Sequence, residues 1–403
     1  MTGKVNLNRL GIQILFIILL FIRCWDTIFD ISFLNFFLKH IDELITLLMA
    51  AYLLLNYEIV LKEKSVPVLL WCPIVLVGLI SGVIFRYQSV MLAMIDAFVL
   101  CSRFLIGYLA AHVYLKKHDG EISEAFMTMS KVISVVLFVF VVHDVLFTPI
   151  FPTSDFRYFM YGMQLFFPHA TYLAFAAATV LIYLGYRGEG KANIIYMLMI
   201  TVVGVSTMRS KAIGFFAIYW VVYIALKLFQ KRYVFFMIVL GGLAAVALAW
   251  DSIDRTFLDA ERFSPRNVLL TDGFALMREH FPLGTGFASF GSALAATNYS
   301  PLYTRLGYEE NWGMSSDNTM FLSDSFWPAI VAQTGIIGIV LFIGLLVYFF
   351  KLTLNKLSTN KTAGLAMLMI LLYLVVVSIA ESAFFNPAAL IMFMLFAMFE
   401  KEA

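Results

Sequence analysis

The sequence predicts an all-α polytopic membrane protein with about twelve transmembrane helices and one long extracytoplasmic loop. Of its 403 residues, 62% are hydrophobic and 13% are charged, and the mean hydropathy is +0.89. Soluble domains carry about twice that charged fraction. Because about 20 apolar residues suffice to span the hydrocarbon core of a bilayer, most of this chain is predicted to lie in lipid. The net charge of +2 favours neither nucleic acid nor an acidic partner.

Twelve apolar windows, separated by polar breaks, are the candidate spans. They lie near 9–25, 41–57, 66–84, 90–115, 132–148, 168–186, 192–207, 212–230, 233–250, 326–350, 362–380 and 384–399. The first window follows Lys4 and Arg9, as the apolar core of a signal peptide would. No small-residue cleavage site comes after it, so it is predicted to be an uncleaved first span.

The distribution of basic residues predicts the orientation. With the N-terminus inside, the inside segments hold sixteen Lys and Arg residues and the short outside connections hold six. The positive-inside rule therefore assigns both termini to the cytoplasm. Residues 1–250 then contain spans one to nine, 251–325 form the long outer loop, and 326–403 contain the last three spans and a short cytoplasmic tail.

The long loop uses arginine as its only strong cation. It contains ten acidic residues and no lysine, and its five arginines are Arg255, Arg262, Arg266, Arg278 and Arg305. A guanidinium group binds phosphate in a planar, bidentate way that an ammonium group cannot. The composition fits a phosphate-binding loop and an ordinary polar loop with internal ion pairs equally well.

Residues 264–280 within this loop are predicted to form an amphipathic helix. Ser264 suits the N-cap and Pro265 suits the first helical position. Five residues at four-three-four-three spacing then form one stripe of the helix: Arg266, Leu270, Gly273, Met277 and His280. Such a helix could lie on the membrane surface with Arg266 and His280 at its two ends, or it could simply cover the bundle.

Metal and nucleotide signatures are missing from the sequence. The histidines do not approach metal-ligand spacing, and no Walker sequence or Asp-x-Asp pair occurs. No metal and no cofactor are therefore predicted. GTGFASFG at 284–291 resembles a nucleotide loop only superficially, because that motif requires a strand before it and a helix after it. Its glycines are predicted to make a tight, close-packed turn.

Charged residues inside or beside the spans are the next candidates, since such residues are costly in lipid and face the interior or a wet cavity. Asp96 and Arg103 lie in the fourth span, and each is expected to pair with another helix. Asp144 and Glu381 lie near outer ends of spans. Arg209, in a short outer turn, could anchor at lipid headgroups or bind a lipid pyrophosphate.

Asp324 stands where the long loop ends and the tenth span begins. Ser323, Asp324 and Ser325 are all favourable N-caps, and Pro328 suits the first turn of a helix. Capping alone would account for an acid here, at about 0.5–2 kcal/mol. The alternative is that Asp324 takes part in chemistry at the membrane surface, with Ser325 as the cap.

Three segments together resemble the O-antigen polymerase and ligase family, whose members handle glycans linked to undecaprenyl pyrophosphate. They are STMRSKAIGF at 206–215, REHFPLGTGFASF at 278–290 and DSFWPAIVAQTGIIG at 324–338. The long outer loop late in the chain agrees with the resemblance. Where lipid A ligases of this family carry the His of a His-Asn pair, this chain has Asp324 and Ser325, which favours the polymerase branch.

The resemblance implies a GT-C-like helical glycosyltransferase bundle in the bacterial cytoplasmic membrane. It implies metal-independent transfer of a growing glycan from its lipid pyrophosphate to a sugar hydroxyl of a new lipid-linked repeat unit, as in O-antigen, capsule or exopolysaccharide synthesis. A chain-length regulator is a further candidate partner. The alternatives are ligase-type transfer to another acceptor, and a polytopic transporter or flippase of lipid-linked glycan.

The resemblance also suggests roles for particular residues. Cations aimed at a leaving group that gains negative charge are commonly the largest catalytic contribution, so the pyrophosphate is expected to bind Arg209 and Arg266 first. Arg262 and Arg278 are the next choices for the same role. The attacking hydroxyl needs a base, for which Asp324 is the first candidate and His280 the second.

Overall fold

The computed structural model describes residues 7–21, 24, 40–118, 122–187, 190–228 and 264–401, and it is 75% helix and 3% strand. The described helices are α1 Leu7–Leu20, α2 Ile41–Leu54, α3 Tyr57–Glu63, α4 Ser65–Phe85, α5 Val90–Ile95, α6 Arg103–Lys117, α7 Ile122–Leu146, α8 Ala170–Arg187, α9 Lys191–Ser206, α10 Ser210–Leu228, α11 Pro265–Glu279, α12 Ala293–Thr297, α13 Pro301–Arg305, α14 Phe326–Thr359, α15 Lys361–Ser378 and α16 Pro387–Lys401. A π-helical segment, Asp96–Cys101, joins α5 to α6, and a short 3-10 helix covers Tyr308–Glu310.

Apolar helices long enough to cross a membrane confirm the polytopic class. Within the described ranges there are five such helices, or seven candidate spans if each bent pair counts as one. The bent pairs are α2 with α3, at 80°, and Val90–Cys101 with α6, at 52°. Eleven of the twelve predicted windows fall on helices or bent pairs, and the window at 233–250 lies outside the described residues. The number of about twelve spans stays a prediction.

The connection between α7 and α8 contains an element that hydropathy did not predict. Strands β1 (Thr153–Arg157) and β2 (Met160–Met163) pair antiparallel, with Phe156 opposite Tyr161. The hairpin tip is apolar and exposed, with Tyr158 63% and Phe159 76% accessible. Short exposed strands rich in aromatic residues satisfy β propensity without an alternating buried face, so periodicity alone did not reveal them.

Each end of the bundle holds its own set of ionic contacts. At one end, here called the lysine end, Lys64 binds Glu400 at 2.5 Å, Lys356 donates to the Glu400 carbonyl at 2.7 Å, and Lys401 donates to the Leu115 carbonyl. The other end, here called the Asp324 end, holds the start of α14, the end of α15 and the described part of the long connection. Among the described residues, the predicted inside segments at Lys64, Lys356 and Lys401 thus lie at the opposite end from the predicted outer segment at Asp324.

Helix α11 forms where the sequence predicts it, with Ser264 at the N-cap position and Pro265 at its first residue. The buried stripe consists of Leu269, Gly273, Leu276 and His280. It is therefore rotated about the helix axis relative to the predicted stripe. This face packs on the first half of α14, where the missing side chain of Gly273 lets the helix approach the Pro328 backbone. The helix therefore covers the bundle.

Two motifs noted in the sequence interlock. Gly335 has φ +61° and ψ −160°, which breaks the helical conformation inside α14. A Cβ at Gly335 would lie 2.4 Å from the Pro282 carbonyl, and one at Gly284 would lie 2.5 Å from the Ala332 carbonyl. The backbone amides of Thr285 and Gly286 bond to carbonyls of α14 at this break. The predicted close-packed turn at 284–291 is confirmed, with α14 as its partner.

Two charged residues of the predicted fourth span, Arg103 and Asp96, have partners outside that span. Arg103 pairs with another helix, as predicted, whereas Asp96 bonds to the backbone of the long connection. Arg103 forms a buried ion pair with Asp42 of α2 at 2.9 Å. Asp96, fully buried, accepts a hydrogen bond from the Ala288 backbone amide at 2.7 Å and so ties the long connection to α5 and its π-helical extension. Asp144 accepts from the backbone amides of Ile150 and Phe151 and shapes the turn after α7.

Candidate functional site

Asp324 lies two residues before the start of α14. It forms an ion pair with Arg266 in the first turn of α11. The two side chains are 25% and 32% exposed, so the pair is open to solvent on one side. Ser325 is the N-cap residue of α14, and its hydroxyl donates to the Ile379 carbonyl at 3.2 Å. The Asp324 carboxylate therefore pairs with an arginine and does not accept hydrogen bonds from the first N–H groups of α14. This arrangement does not support the capping interpretation.

Arg209 reaches the same end of the bundle from the turn between α9 and α10. Its guanidinium donates to the Ser154 hydroxyl of β1 at 2.9 Å and to Nε2 of His169 at 2.9 Å. Burial and the neighbouring Arg209 charge lower the pKa of His169, so this imidazole is a neutral acceptor. The hairpin and the start of α8 thus fix the direction in which Arg209 points.

Lys211 and Glu381 extend the cluster toward α15. Lys211 donates to Glu381 at 3.2 Å and to the Ala380 carbonyl at 2.8 Å, and Thr171 donates to Glu381 at 3.0 Å. A further contact, from the Ser382 hydroxyl to the Ser323 carbonyl at 2.5 Å, holds this turn against the residue before Asp324. Helices α8, α10 and α15 therefore converge on one ionic group.

These contacts place two carboxylates among three cations, here called the Asp324 cluster: Asp324, Glu381, Arg209, Lys211 and Arg266. Burial raises the pKa of Asp324 above its ordinary value, and Glu381 raises it further, whereas Arg266 and Lys211 oppose the rise. Because the pKa is raised overall, Asp324 is a stronger base than a solvated aspartate. Arg209 also interacts electrostatically with Asp324 and Glu381, so the cluster acts as one electrostatic unit.

Both arginines keep unused hydrogen-bonding capacity. Within the part of the chain that the structure describes, the Nε atoms of Arg209 and Arg266 are buried and have no hydrogen-bond partner. Buried polar atoms are normally satisfied, and unsatisfied ones often mark a functional site. Two incompletely satisfied guanidinium groups beside a lysine provide an arrangement that would suit a polyanion such as a pyrophosphate.

The remaining predicted site residues lie elsewhere. His280, at the far end of α11 and so about 20 Å from Arg266, is buried and bonds to the Tyr87 hydroxyl at 2.9 Å and the Leu276 carbonyl at 2.9 Å. Arg278 is exposed near the same end of the helix. Arg262 lies outside the described residues. The structure thus brings Asp324, Arg209 and Arg266 together and separates His280 and Arg278 from them.

Sequence reasoning did not assign a role to His169, Lys211, Thr171 or Ser154. Lys211 lies two residues after Arg209, so the pair was a usable signal for a doubly cationic turn. His169 and Ser154 gave no such signal, because their roles depend on how the hairpin folds back onto the turn at Arg209. Among the described residues, no group of three or more His, Cys, Asp and Glu side chains is arranged to hold a metal ion.

Fold and site together define a helical membrane protein with an ionic cluster at one end of its bundle. No family model matches the sequence, and no curated protein matches it.

Proposed function

We propose that this protein is a membrane glycosyltransferase that polymerises undecaprenyl-pyrophosphate-linked repeat units at the outer face of the bacterial cytoplasmic membrane. The observation that carries the proposal is the Asp324 cluster, in which a carboxylate of raised pKa stands among three cations. The resemblance at 206–215, 278–290 and 324–338 supports the same assignment, since Arg209 and Asp324 fall within two of those segments. In this proposal the fold is a GT-C-like bundle of about twelve spans, and both termini are cytoplasmic.

The cations are proposed to bind the pyrophosphate of the donor. Arg209 comes from the turn before α10, and Arg266 comes from the start of α11. Lys211, which pairs with Glu381 and interacts electrostatically with Arg266, adds a third positive charge. As the bond from the anomeric carbon to the pyrophosphate breaks, the leaving group takes the electron pair, and preorganised cations stabilise the charge that develops there.

Asp324 is proposed to be the general base. The hydroxyl oxygen of the acceptor sugar attacks the anomeric carbon of the donor, and the hydroxyl proton passes to the Asp324 carboxylate. A positioned base typically contributes about 10²–10⁴-fold to the rate. The pKa of Asp324 is shifted upward, as a general base requires, because a base is most effective when its pKa approaches the working pH.

The Arg266–Asp324 ion pair is proposed to be the resting state of the site. A pyrophosphate carries more negative charge than one carboxylate and offers Arg266 a bidentate partner. When Arg266 turns to the phosphate, Asp324 loses a cation that lowers its pKa, so donor binding itself makes the base stronger.

Binding of undecaprenyl pyrophosphate to the purified protein tests the proposed donor site. Arg209→Lys and Arg266→Lys should each weaken binding, since lysine keeps the charge and loses the planar fork. Arg278→Lys is the matched control, because it makes the same change on an exposed side chain at the opposite end of α11. Unchanged affinity in both cluster variants would contradict the proposed donor site.

A further inference from the structure

A second feature of the bundle has no place in the proposed reaction. Helices α1, α2, α6 and α16, together with Phe126 of α7, line an open apolar cavity of about 370 Å³. Its walls are aliphatic, aromatic and methionine side chains, represented by Phe16 of α1, Met49 of α2, Ala111 of α6 and Met394 of α16. The cavity opens to the surroundings beside α2, where its lining residue Leu48 is 62% accessible and the adjacent Leu47 is 53% accessible. In a membrane, the medium around these helices is hydrocarbon.

The cavity contains one polar atom that is not satisfied. The hydroxyl of Tyr52 belongs to a lining side chain, is buried, and has no hydrogen-bond partner among the described residues. Leaving a hydroxyl unpaired in an apolar environment is unfavourable. A ligand that brings an oxygen atom to this point, while keeping its remaining body apolar, would remove that cost.

Positive charge lies beside the same tyrosine. The ammonium group of Lys117 lies 5.9 Å from the centroid of the Tyr52 ring and bonds to the Asn56 side chain, which carries no charge. Lys116 and His112 are engaged by Glu63, at 2.8 and 3.0 Å. The exposed Lys117 ammonium at the lysine end of the bundle therefore contacts an uncharged amide and an aromatic ring, and it remains accessible to an anion from outside.

We propose that this cavity binds one acyl chain of an anionic phospholipid from the surrounding membrane. The chain fills the space between α1, α2, α6 and α16. An ester or phosphate oxygen accepts a hydrogen bond from the Tyr52 hydroxyl, and Lys117 pairs with the anionic headgroup. Basic residues next to a membrane surface attract anionic lipids in this way. A neutral lipid would fill the cavity equally well but would gain nothing from Lys117.

The site is distinct from the proposed donor site. Lys117 ends α6 at the lysine end, where Lys401 also contacts Leu115, whereas the Asp324 cluster lies at the opposite end of the bundle. A lipid held by Lys117 therefore presents its headgroup on the other membrane surface from a glycan donor held by Arg209 and Arg266. The inference stands independently of the reaction proposed for the Asp324 cluster.

Native mass spectrometry of the full-length protein, released from nanodiscs that contain phosphatidylglycerol and phosphatidylcholine, tests the inference. The wild type should retain one phospholipid and prefer phosphatidylglycerol. Ala111→Phe should reduce retained lipid by about tenfold, because the ring occupies the cavity. Ala51→Phe is the matched control, since it adds the same ring on an exposed position of the neighbouring helix α2 and should leave retention unchanged.

Two milder substitutions test the headgroup contacts separately from the cavity. Lys117→Gln should keep lipid retention and reduce the preference for phosphatidylglycerol over phosphatidylcholine. Tyr52→Phe should instead weaken retention of both lipids alike, because both carry ester and phosphate oxygens. Full retention in Ala111→Phe would overturn the inference, and so would equal retention of the two lipids by the wild type. Retention of a polyprenyl lipid in place of a phospholipid, when both are supplied, would also overturn it.

Discussion

Replacing Asp324 by Asn removes the proposed base while keeping the size and shape of the side chain. Loss of a general base costs about 10²–10⁴-fold in rate. The substitution also breaks the ion pair with Arg266, but the two side chains are 25% and 32% exposed. Ion pairs with that degree of exposure contribute about 1 kcal/mol or less to stability. The variant is therefore expected to fold and insert normally and to lose chain lengthening.

The assay is the length distribution of lipid-linked glycan in cells that carry each variant, with membrane levels of the protein measured in parallel. Asp317→Asn is the matched control, because Asp317 is exposed, seven residues upstream in the same loop. The control should give a wild-type ladder, and Asp324→Asn should give single repeat units. A normal ladder from Asp324→Asn at a normal protein level would refute the role of Asp324 as the base.

Four further outcomes are expected. Arg209→Lys and Arg266→Lys should both be poor replacements in the polymerisation assay, because the guanidinium fork is lost; full-length polymer from both would exclude the pyrophosphate clamp. The rate should fall as the pH is lowered through the raised pKa of Asp324, so the acid limb of a kcat/KM profile should lie above the ordinary aspartate value of about 3.9; a limb at or below that value would contradict the burial argument. EDTA should leave transfer by the purified protein unchanged, and an activity loss that magnesium restores would contradict the metal-independent reaction. Gly335→Ala should destabilise the protein by about 2 kcal/mol or more in a thermal unfolding assay, because its Cβ would meet the Pro282 carbonyl, whereas Gly344→Ala in the same helix should not; equal melting temperatures for the two would contradict the interlock.

Hydropathy predicted most of the helical organisation, because apolar windows record directly which segments can lie in lipid. It did not predict the bends, since the 80° turn between α2 and α3 and the break at Gly335 depend on what packs against them. The Gly335 break is an example: its backbone conformation is required by the approach of Pro282 and Gly284, which lie about fifty residues earlier.

The amphipathic helix was located correctly but its buried face was not. The four-three-four-three pattern chose Arg266 and His280 as members of one stripe, while the structure buries Leu269, Gly273, Leu276 and His280. Arg266 is left on the side that faces Asp324. One residue of rotation turns a helix by about 100°, so a sparse apolar pattern permits this error.

The candidate site was predicted in part. Asp324, Arg209 and Arg266 were singled out from the sequence, and the structure brings them into one cluster. His169, Ser154 and Glu381 hold that cluster together through contacts across the bundle, such as the 3.0 Å hydrogen bond from Thr171 to Glu381. A single sequence does not report such contacts, because the partners are separated by up to about two hundred residues of chain.

The most direct measurement uses purified protein in a membrane mimetic with a single lipid-linked repeat unit as the only glycan. Successive transfer predicts products of two and more repeat units on one lipid, together with release of free undecaprenyl pyrophosphate. A ligase would need a different acceptor, and a transporter would leave the repeat unit unchanged. Failure of the folded protein to lengthen the glycan, with the Asp324→Asn variant indistinguishable from the wild type, would contradict the proposed polymerase.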